Sequence, residues 1–336
     1  MRIGAAFEPT AAAYYRGVYP LEAMARRGHE IVWPEHDSGD PRLSELGDCD
    51  VVYVFRRSED AVRRPLAKLA ARGVGIVWDT DDDLSAIPRR SPNYKTLGAL
   101  RGQKRFAETV RMGRMAHVMM ASTAAIQAKY EAAGIGGIEI VENHLPPKLR
   151  RRRQKHDGLI IGWIAGIEHT EDAIELGLRD TLARVLARHP DARVESVGVD
   201  LGLGDRYVRQ PSVHFNTLPD HMARYDIGLA PIVDIPFNAA RSNIKVKEYA
   251  ASEVPWLASP RGSYRELGER EGGLLVEDDD WETALDALIR DKRRRKKLAR
   301  AGKSWAKTQT VDRVADRYEV ILRSAADRAS EARGAA

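Results

Sequence analysis

Residues Asp226 to Ser259 read DIGLAPIVDIPFNAARSNIKVKEYAASEVPWLAS, which predicts a strand, a loop, a helix and a second strand. The apolar runs DIGLAPI and VPWLAS are typical of short buried strands, and the segment between them is long enough to cross over and make them parallel. Pro236 and Asn238 end the first strand. The stretch therefore predicts an α/β fold built on a parallel sheet.

Charged residues of this stretch gather where the loop becomes the helix. Ser242 is the expected N-cap, so the free N–H groups of the helix would point beyond the strand ends, as in many anion sites. Arg241 and Lys245 add positive charge there, and Glu248 lies one turn deeper on the same face, where its carboxylate can accept hydrogen bonds from sugar hydroxyls. This order fits a diphosphate followed by a ribose; the alternative is a solvated, salt-bridged helix face.

The stretch resembles the donor-binding region of glycosyltransferase family 4 and its relatives, enzymes of the two-domain GT-B fold, and the resemblance spans nearly the whole chain. It implies that Glu248 holds the nucleotide ribose, as the second of the family's paired glutamates. Ala240 stands where the first would fall, so Asp234 or the backbone from Phe237 to Ala239 would have to replace it.

A divergent branch of these enzymes is similar to DIPFNAARSNIKVKEYAA as it stands here. The similarity implies that Asn238 and Ser242 contribute to nucleotide binding, and that Arg241 and Lys245 offset the charge on the leaving diphosphate. The same branch also resembles this chain near the N-terminus, where Arg16 precedes a helix. Arg16 is therefore expected to contact the acceptor or a phosphate.

Composition narrows the class of protein. A chain of 336 residues with 43% hydrophobic and 31% charged content can bury two ordinary domain cores and is not embedded in a membrane. The absence of a transmembrane or secretory segment predicts a cytoplasmic protein. The single cysteine, Cys49, excludes an intramolecular disulfide, and the nine histidines lack zinc-site spacing. The net charge of +5 suggests an anionic partner.

Strand and helix patterns alternate along the chain in two blocks. Residues 1–150 predict a Rossmann-like acceptor domain, and residues 151–305 predict a Rossmann-like domain that binds the sugar nucleotide. Within the second block we expect one helix from Glu171 to Arg188 and a strand at VHFN, residues 213–216. Residues 306–336 predict a helix that crosses back to the first domain. The fold class is thus α/β, GT-B, with two domains facing across a cleft where ligands bind.

An acidic cluster, WDTDDDL at residues 78–84, follows a predicted strand of the first domain. Hard divalent cations bind such clusters, but the resemblance to GT-B enzymes favours a site without metal. It implies that Asp81 or Asp82 faces the transferred sugar. We expect Asp79 and Asp83 to cap the following turn.

Two further strand ends carry candidate residues. GWIAGIEHT, residues 162–170, predicts a turn in which Gly166 brings the backbone close to the donor and His169 donates to a phosphate oxygen, with Thr170 as N-cap. Arg56, at the end of VVYVFRR, is a second candidate for acceptor or phosphate binding. A surface role is the alternative for both arginines, Arg16 and Arg56.

Basic residues concentrate in three places: residues 150–153, residues 292–297, and a scatter from Arg89 to Arg114. Such runs are usually solvated faces. They also suit a phosphate backbone, although aromatic residues that stack on bases are sparse around Arg89 to Arg114. The pattern therefore permits nucleic acid as a partner but does not specifically indicate it.

Together these features predict a glycosyltransferase that moves a sugar from a nucleoside diphosphate sugar, such as a UDP- or GDP-sugar, to an acceptor hydroxyl. The resemblance implies retention of anomeric configuration, no metal and no cofactor beyond the donor substrate. The expected acceptor is a glycan or a lipid-linked glycan, with peripheral membrane contact. The alternatives are a modified base in DNA as acceptor, or a noncatalytic binding protein that kept the fold, an idea to which Ala240 lends weight.

Overall fold

A computed structural model of the chain describes residues 1–7, 10–37, 40–148 and 154–335. Its strands form two six-stranded sheets and one small two-stranded ladder. The strands are β1 (Arg2–Ala6), β2 (Glu30–Val32), β3 (His36–Asp37), β4 (Asp40–Pro41), β5 (Val51–Phe55), β6 (Gly75–Thr80), β7 (Val118–Ala121), β8 (Glu139–Ile140), β9 (Leu159–Ala165), β10 (Ala192–Gly198), β11 (Tyr207–Gln210), β12 (Ile227–Ala230), β13 (Trp256–Ala258) and β14 (Gly273–Leu275).

Both large sheets are parallel throughout. The first has the strand order β2-β1-β5-β6-β7-β8, and the second has the order β11-β10-β9-β12-β13-β14. The central strands β5, β6 and β9 are buried along their whole length. Burial on both faces is what parallel strands require, and it explains why these strands read as continuous apolar runs in the sequence.

Helices cover both faces of the sheets. They are α1 (Ala11–Ala13), α2 (Tyr19–Arg26), α3 (Asp60–Ala71), α4 (Tyr94–Leu97), α5 (Ala99–Met115), α6 (Ala124–Ala132), α7 (Thr170–Glu175), α8 (Leu178–Arg188), α9 (Leu218–Met222), α10 (Pro236–Ala239), α11 (Ile244–Ala251), α12 (Trp281–Arg290), α13 (Lys292–Ala306) and α14 (Ala315–Gly334). We call the first sheet and its helices the first lobe, and the second sheet and its helices the second lobe. The predicted α/β fold with two Rossmann-like units is confirmed.

The C-terminal helix α14 packs on the first lobe. Tyr318, Ile321 and Leu322 are buried in the same core cluster as the strands β1 and β5. Gly75, at the start of β6, lies so close to α14 that a Cβ atom there would meet the backbone of Ala325 at 2.7 Å. The proposed boundary between residues 150 and 151 lies outside the described residues, so the domain limits stay a prediction.

Two expectations about elements of the second lobe are wrong. Residues 213–216 do not form a strand; the His214 side chain accepts a hydrogen bond from Asn216 N and begins a 3₁₀ turn that leads into α9. The edge strand is instead β11. The helix expected from Glu171 to Arg188 is broken into α7 and α8, because Gly177 adopts φ +55°, the left-handed conformation that ends helices.

The lobes meet through residues that follow their strands. Thr123 Oγ1 donates to the carbonyl of Ala240 at 3.2 Å, and Lys247 Nζ donates to Glu142 at 2.7 Å. Beside these contacts a groove of about 740 Å³ opens between the lobes. The carboxyl ends of the two sheets therefore face each other, as the predicted cleft requires.

Candidate active site in the interlobe cleft

Arg241 is the central cation of the second lobe's side of the cleft. Its Nη1 lies 2.5 Å from Nε2 of His169, and its guanidinium covers the ring of Phe237 at 4.8 Å from the centroid. A guanidinium can only donate, so His169 Nε2 must accept, and the proton of the imidazole sits on Nδ1. Burial, together with the charge of Arg241, lowers the pKa of His169, which keeps the ring neutral.

Asp172 fixes the orientation of His169. Its Oδ2 lies 2.6 Å from His169 Nδ1, and its side chain is almost fully buried. Its Oδ1 accepts from Val233 N at 2.8 Å and from Asn238 Nδ2 at 2.7 Å. Asp172, His169 and Arg241 thus form one chain of hydrogen bonds from the interior to the cleft.

Asn238 is buried beneath this chain. Only 2% of its surface is exposed, and its amide also donates to the carbonyl of Val233 at 3.0 Å. The side chain therefore ties the loop after β12 to α7. Its predicted direct contact with a nucleotide stays a prediction, and in this structure it acts on the site through Asp172.

The helix α11 begins one residue later than expected. Asn243, not Ser242, is its N-cap residue, and its side chain makes no capping bond. Ser242 Oγ accepts instead from Asn143 Nδ2 of the first lobe at 3.0 Å. The expected capping role of Ser242 is therefore wrong, because its hydroxyl is used in a contact between lobes.

Lys245 and Glu248 lie on one face of α11, as their spacing predicts. Lys245 Nζ donates to Glu248 Oε2 at 3.1 Å, and the lysine side chain is 21% exposed, so it remains partly accessible to solvent. Glu248 is buried, and its Oε1 accepts a hydrogen bond from the Tyr15 hydroxyl across the cleft. The carboxylate is thus held between a cation of its own helix and a hydroxyl of the other lobe.

Aromatic rings surround this carboxylate. Tyr14 stacks on Phe215 with ring centroids 4.5 Å apart, and Tyr15 meets the same ring edge-on at 5.3 Å. Phe215, Tyr15 and Glu248 line the interlobe groove. Tyr14 and Tyr15 belong to a π-helical turn, Tyr14–Val18, a rare conformation that occurs often at functional sites.

Arg16 does not face the cleft. Its side chain is fully buried, with Nη2 and Nε bonded to the Asp79 carboxylate at 2.5 and 2.8 Å. Its Nη1 donates to the carbonyl of Val141 and to Asn143 Oδ1. The expected contact of Arg16 with acceptor or phosphate is not supported, because its nitrogens are engaged inside the first lobe. Asp79 likewise does not cap a turn, since it pairs with Arg16.

Asp81 and Asp82 are both bound by Arg56. Arg56 Nε lies 2.5 Å from Asp81 Oδ1, and Nη2 lies 2.6 Å from Asp82 Oδ2. Burial raises the pKa of Asp81 to about 6, against the attraction of Arg56. Arg56 has φ +58°, a strained conformation for a residue other than glycine. The expected contact of these acids with the sugar stays a prediction.

The remaining acid of the cluster behaves as expected. Asp83 Oδ1 accepts from Ser85 N at 3.1 Å and so caps the turn, and Lys129 pairs with the same carboxylate. Every acid of the cluster thus has a basic partner. Within residues 1–7, 10–37, 40–148 and 154–335, no group of three or more His, Cys, Asp or Glu is placed to hold a metal ion.

Gly166 lies exposed at the carboxyl end of β9, directly before a 3₁₀ turn that carries His169. Thr170 does not act as the N-cap of the helix that follows, because it is already the first residue of α7. Glu168 in the same turn accepts from Asn93 Nδ2 of the first lobe at 2.7 Å. The turn therefore joins the lobes at the cleft edge, with the backbone of Gly166 facing solvent.

Two residues of the site carried no functional signal in the sequence. Asp172 follows His169 by three residues at the start of α7, a spacing that places both on one helix face and could have indicated their contact. Tyr15 is 233 residues from Glu248, and no local pattern predicts that contact.

Comparison with known proteins fits this arrangement. Residues 178–323 match the family model described as "Glycosyl transferase-like". No curated protein matches the chain by sequence. Among the described residues, no helix is long and apolar enough to span a bilayer.

Three solved structures resemble the whole chain. Anabaena Alr3699/HepE in complex with UDP-glucose aligns with 96% of this chain and 100% of its own, at 15% identity and a TM-score of 0.68. Sucrose-phosphate synthase (tll1590) from Thermosynechococcus elongatus covers 96% and 98%, at 14% identity and a TM-score of 0.65. An alpha-glucosyltransferase in complex with UDP-glucose and DNA containing an abasic site covers 96% and 99%, at 10% identity and a TM-score of 0.67.

Because the sequence identities are 15% or lower, the structural similarity establishes the fold alone. The family match covers the part of the chain that contains Arg241, Lys245 and Glu248. The chain therefore has the GT-B fold of glycosyltransferases, and its residues 178–323 match the glycosyl transferase-like family.

Proposed function

We propose that the protein is a glycosyltransferase that takes a sugar from a nucleoside diphosphate sugar and transfers it to an acceptor hydroxyl. The observation that carries this proposal is the pairing of Lys245 with Glu248, which lines the interlobe groove, together with Arg241 in the loop before the same helix, all within the family-matched segment. Solved structures of the same fold that contain UDP-glucose support a nucleotide-sugar donor.

The proposed chemistry depends on charge placement. The acceptor oxygen forms a bond to the anomeric carbon, and the bond from that carbon to the diphosphate oxygen breaks. The diphosphate leaves with the electron pair and takes up the proton that the acceptor hydroxyl gives up. Arg241 and Lys245 would offset the growing negative charge. A donor of this type contributes on the order of a hundredfold in rate when it is aimed at the developing charge.

Glu248 would hold the ribose of the donor. In the structure its Oε1 already accepts a hydrogen bond from one hydroxyl, that of Tyr15. A ribose hydroxyl can take the same place, because both groups donate an O–H to the carboxylate. Donor binding would then exchange a bond between the lobes for a bond to the ligand.

Metal independence and retention of configuration belong to the proposal as well. Two cations stand at the proposed diphosphate site, and the acids after β6 are engaged by Arg56, Arg16 and Lys129. This pairing supports charge stabilisation by side chains. Asp81 or Asp82 would orient the sugar or the acceptor hydroxyl from the first lobe once Arg56 releases one of them. The proposal also includes a cytoplasmic location for the protein.

A noncatalytic binding protein is the second candidate, and one observation favours it. Ala240, which stands where the family's first glutamate would fall, is buried against apolar residues of the first lobe, so no carboxylate reaches the sugar from this position. Such a protein would bind the donor without consuming it.

Activity measurements on two variants test the proposal. We expect Lys245→Ala and Glu248→Ala each to lower donor hydrolysis or transfer at least a hundredfold while the circular dichroism spectrum stays unchanged. Asp180→Asn, an exposed acid on α8, serves as the control and should retain full activity. Normal activity in both site variants would contradict the site assignment. Donor binding without turnover by the wild type would favour the noncatalytic alternative.

A further inference from the structure

The first lobe carries a basic surface on residues 84–117, the helices α4 and α5 with the loop before them. This segment holds a single acid, Glu108, and has a net charge of +7 in a chain whose total is +5. The rest of the chain is therefore slightly acidic overall. Its basic residues are Arg89, Arg90, Lys95, Arg101, Lys104, Arg105, Arg111 and Arg114.

The partners of the α5 cations distinguish this helix from the other basic run that the structure describes. Among the residues that the structure describes, no carboxylate pairs with Lys104, Arg105 or Arg111. The basic run at residues 292–297 is partly neutralised, because Arg294 and Lys297 both pair with Glu269. Unpaired cations on one helix indicate a surface that has its counter-charges on a partner.

These cations form a line. Arg101, Lys104, Arg111 and Arg114 are exposed on α5. At the rise of an α-helix they extend over about 20 Å. In the described part of the chain, Leu100 is the one large apolar side chain of α5 that is strongly exposed. A linear array of charge with so little apolar surface fits an extended polyanion better than a membrane, into which interfacial helices insert several large apolar side chains.

The line of cations leads to the cleft. Arg105 lines a groove of about 470 Å³ together with Thr10, Arg56, Arg57 and Glu108. Arg56 and Arg57 directly follow β5, whose carboxyl end faces the second lobe. Because Arg56 also binds Asp81 and Asp82, a polymer that lies along α5 would reach the acids proposed to orient the acceptor hydroxyl.

We propose that the acceptor is DNA that carries the reacting hydroxyl on a modified base, held through its phosphate backbone by the basic surface of α5. This inference rests on the proposed transferase function, and it makes a nucleic acid rather than a neutral glycan the substrate of the first lobe. Each phosphate contact releases a bound counterion from DNA, so binding must weaken steeply as salt rises.

Fluorescence anisotropy with a labelled DNA duplex tests the inference. The variant Lys104→Ala/Arg105→Ala/Arg111→Ala removes three cations from α5, and Lys292→Ala/Arg293→Ala/Lys296→Ala removes three from α13 as a control of equal net charge. We expect the α5 variant to bind DNA at least tenfold more weakly at 0.1 M salt. Its plot of log affinity against log salt should be less steep by about 3. The control should bind like the wild type.

Parallel titration with UDP-glucose separates this inference from the proposed function, since neither triple variant touches the donor site. Failure to bind DNA while UDP-glucose still binds would overturn the acceptor assignment alone. Equal loss of DNA binding in both variants would also overturn it, because net charge alone would then explain the effect. Binding to phosphatidylglycerol vesicles but not to DNA would replace it with a membrane surface.

Discussion

The orientation of Arg241 depends on the buried carboxylate of Asp172, with which it makes no direct contact. Asp172 accepts the Nδ1 proton of His169, which leaves Nε2 free to accept from Arg241. The sequence could nominate Arg241 and His169, because polar and basic residues at the end of a strand or the start of a helix are usual anion ligands. It could nominate Glu248 because a carboxylate one turn deeper can accept hydrogen bonds from sugar hydroxyls. It could not rank Asp172 among them, since its spacing from His169 can indicate a contact but does not show that the carboxylate is buried.

Replacement of Asp172 by asparagine tests this chain. An amide would place an N–H group against the Nδ1 proton of His169, so the pKa of the imidazole should fall further below its ordinary value. Donor hydrolysis should fall about tenfold, as expected when a group that orients a cation is lost. NMR titration of His169 gives the pKa, and Asp180→Asn is the matched control. An unchanged imidazole pKa would mean that Asp172 only supports the loop.

Stability should depend on pH through His144. Burial, with the nearby charge of Lys247, lowers the pKa of His144 to about 4. The unfolded chain, with an ordinary pKa of about 6.5, binds the proton more readily. The contribution is therefore complete above pH 6.5 and is lost as the pH falls toward 4. Urea unfolding at several pH values should show less of this loss in His144→Gln; an identical pH dependence in that variant would contradict the assignment.

The turn that carries Tyr14 and Tyr15 is the element of the first lobe that contacts Phe215 and Glu248 of the second lobe. Its π-helical geometry places both rings against Phe215 and the Tyr15 hydroxyl on Glu248. Regular elements such as the neighbouring helix α2 can be predicted from sequence, because burial repeats with a fixed period in them. A π-turn has no such period, and its partners lie in the other lobe, so the element could not be predicted.

The variant Tyr15→Phe examines whether this turn competes with the donor. Phenylalanine keeps the ring contacts but removes the hydrogen bond to Glu248, so a ribose hydroxyl no longer has to displace it. We expect UDP to bind up to about tenfold more tightly by calorimetry, in line with the net value of a hydrogen bond to a charged group. Tyr14→Phe retains the stack on Phe215 and should bind like the wild type. Weaker binding by Tyr15→Phe would mean that the hydroxyl contacts the donor directly.

In the whole molecule, the last helix of the chain does not pack on the lobe that precedes it in the sequence. The helix α14 leaves the second lobe and packs on the first sheet through Tyr318 and Ile321. The two sheets were predictable, because buried parallel strands read as apolar runs between helices. The contacts between lobes were not, since they join residues such as Tyr15 and Glu248 that only the complete fold brings together.

Substitution of Gly75 by alanine tests the packing of α14 on the first lobe. A methyl group there would press on the backbone of Ala325, which cannot yield as a flexible side chain can. We expect a loss of about 1–3 kcal/mol in the free energy of unfolding. Gly136→Ala, which would place its methyl group in open space, is the control. Equal stability of the two variants in urea would show that α14 does not hold this position tightly.

In the proposed function, the cations and the carboxylate at the start of α11 form a site for a nucleoside diphosphate sugar. Isothermal titration of the wild type and of Glu248→Gln with UDP-, GDP-, ADP- and TDP-glucose tests it most directly. We predict that the wild type binds at least one of these donors, and that Glu248→Gln binds the same donor at least tenfold more weakly because the ribose loses a charged acceptor. Absence of binding to all four donors, or equal affinity in both proteins, would contradict the account.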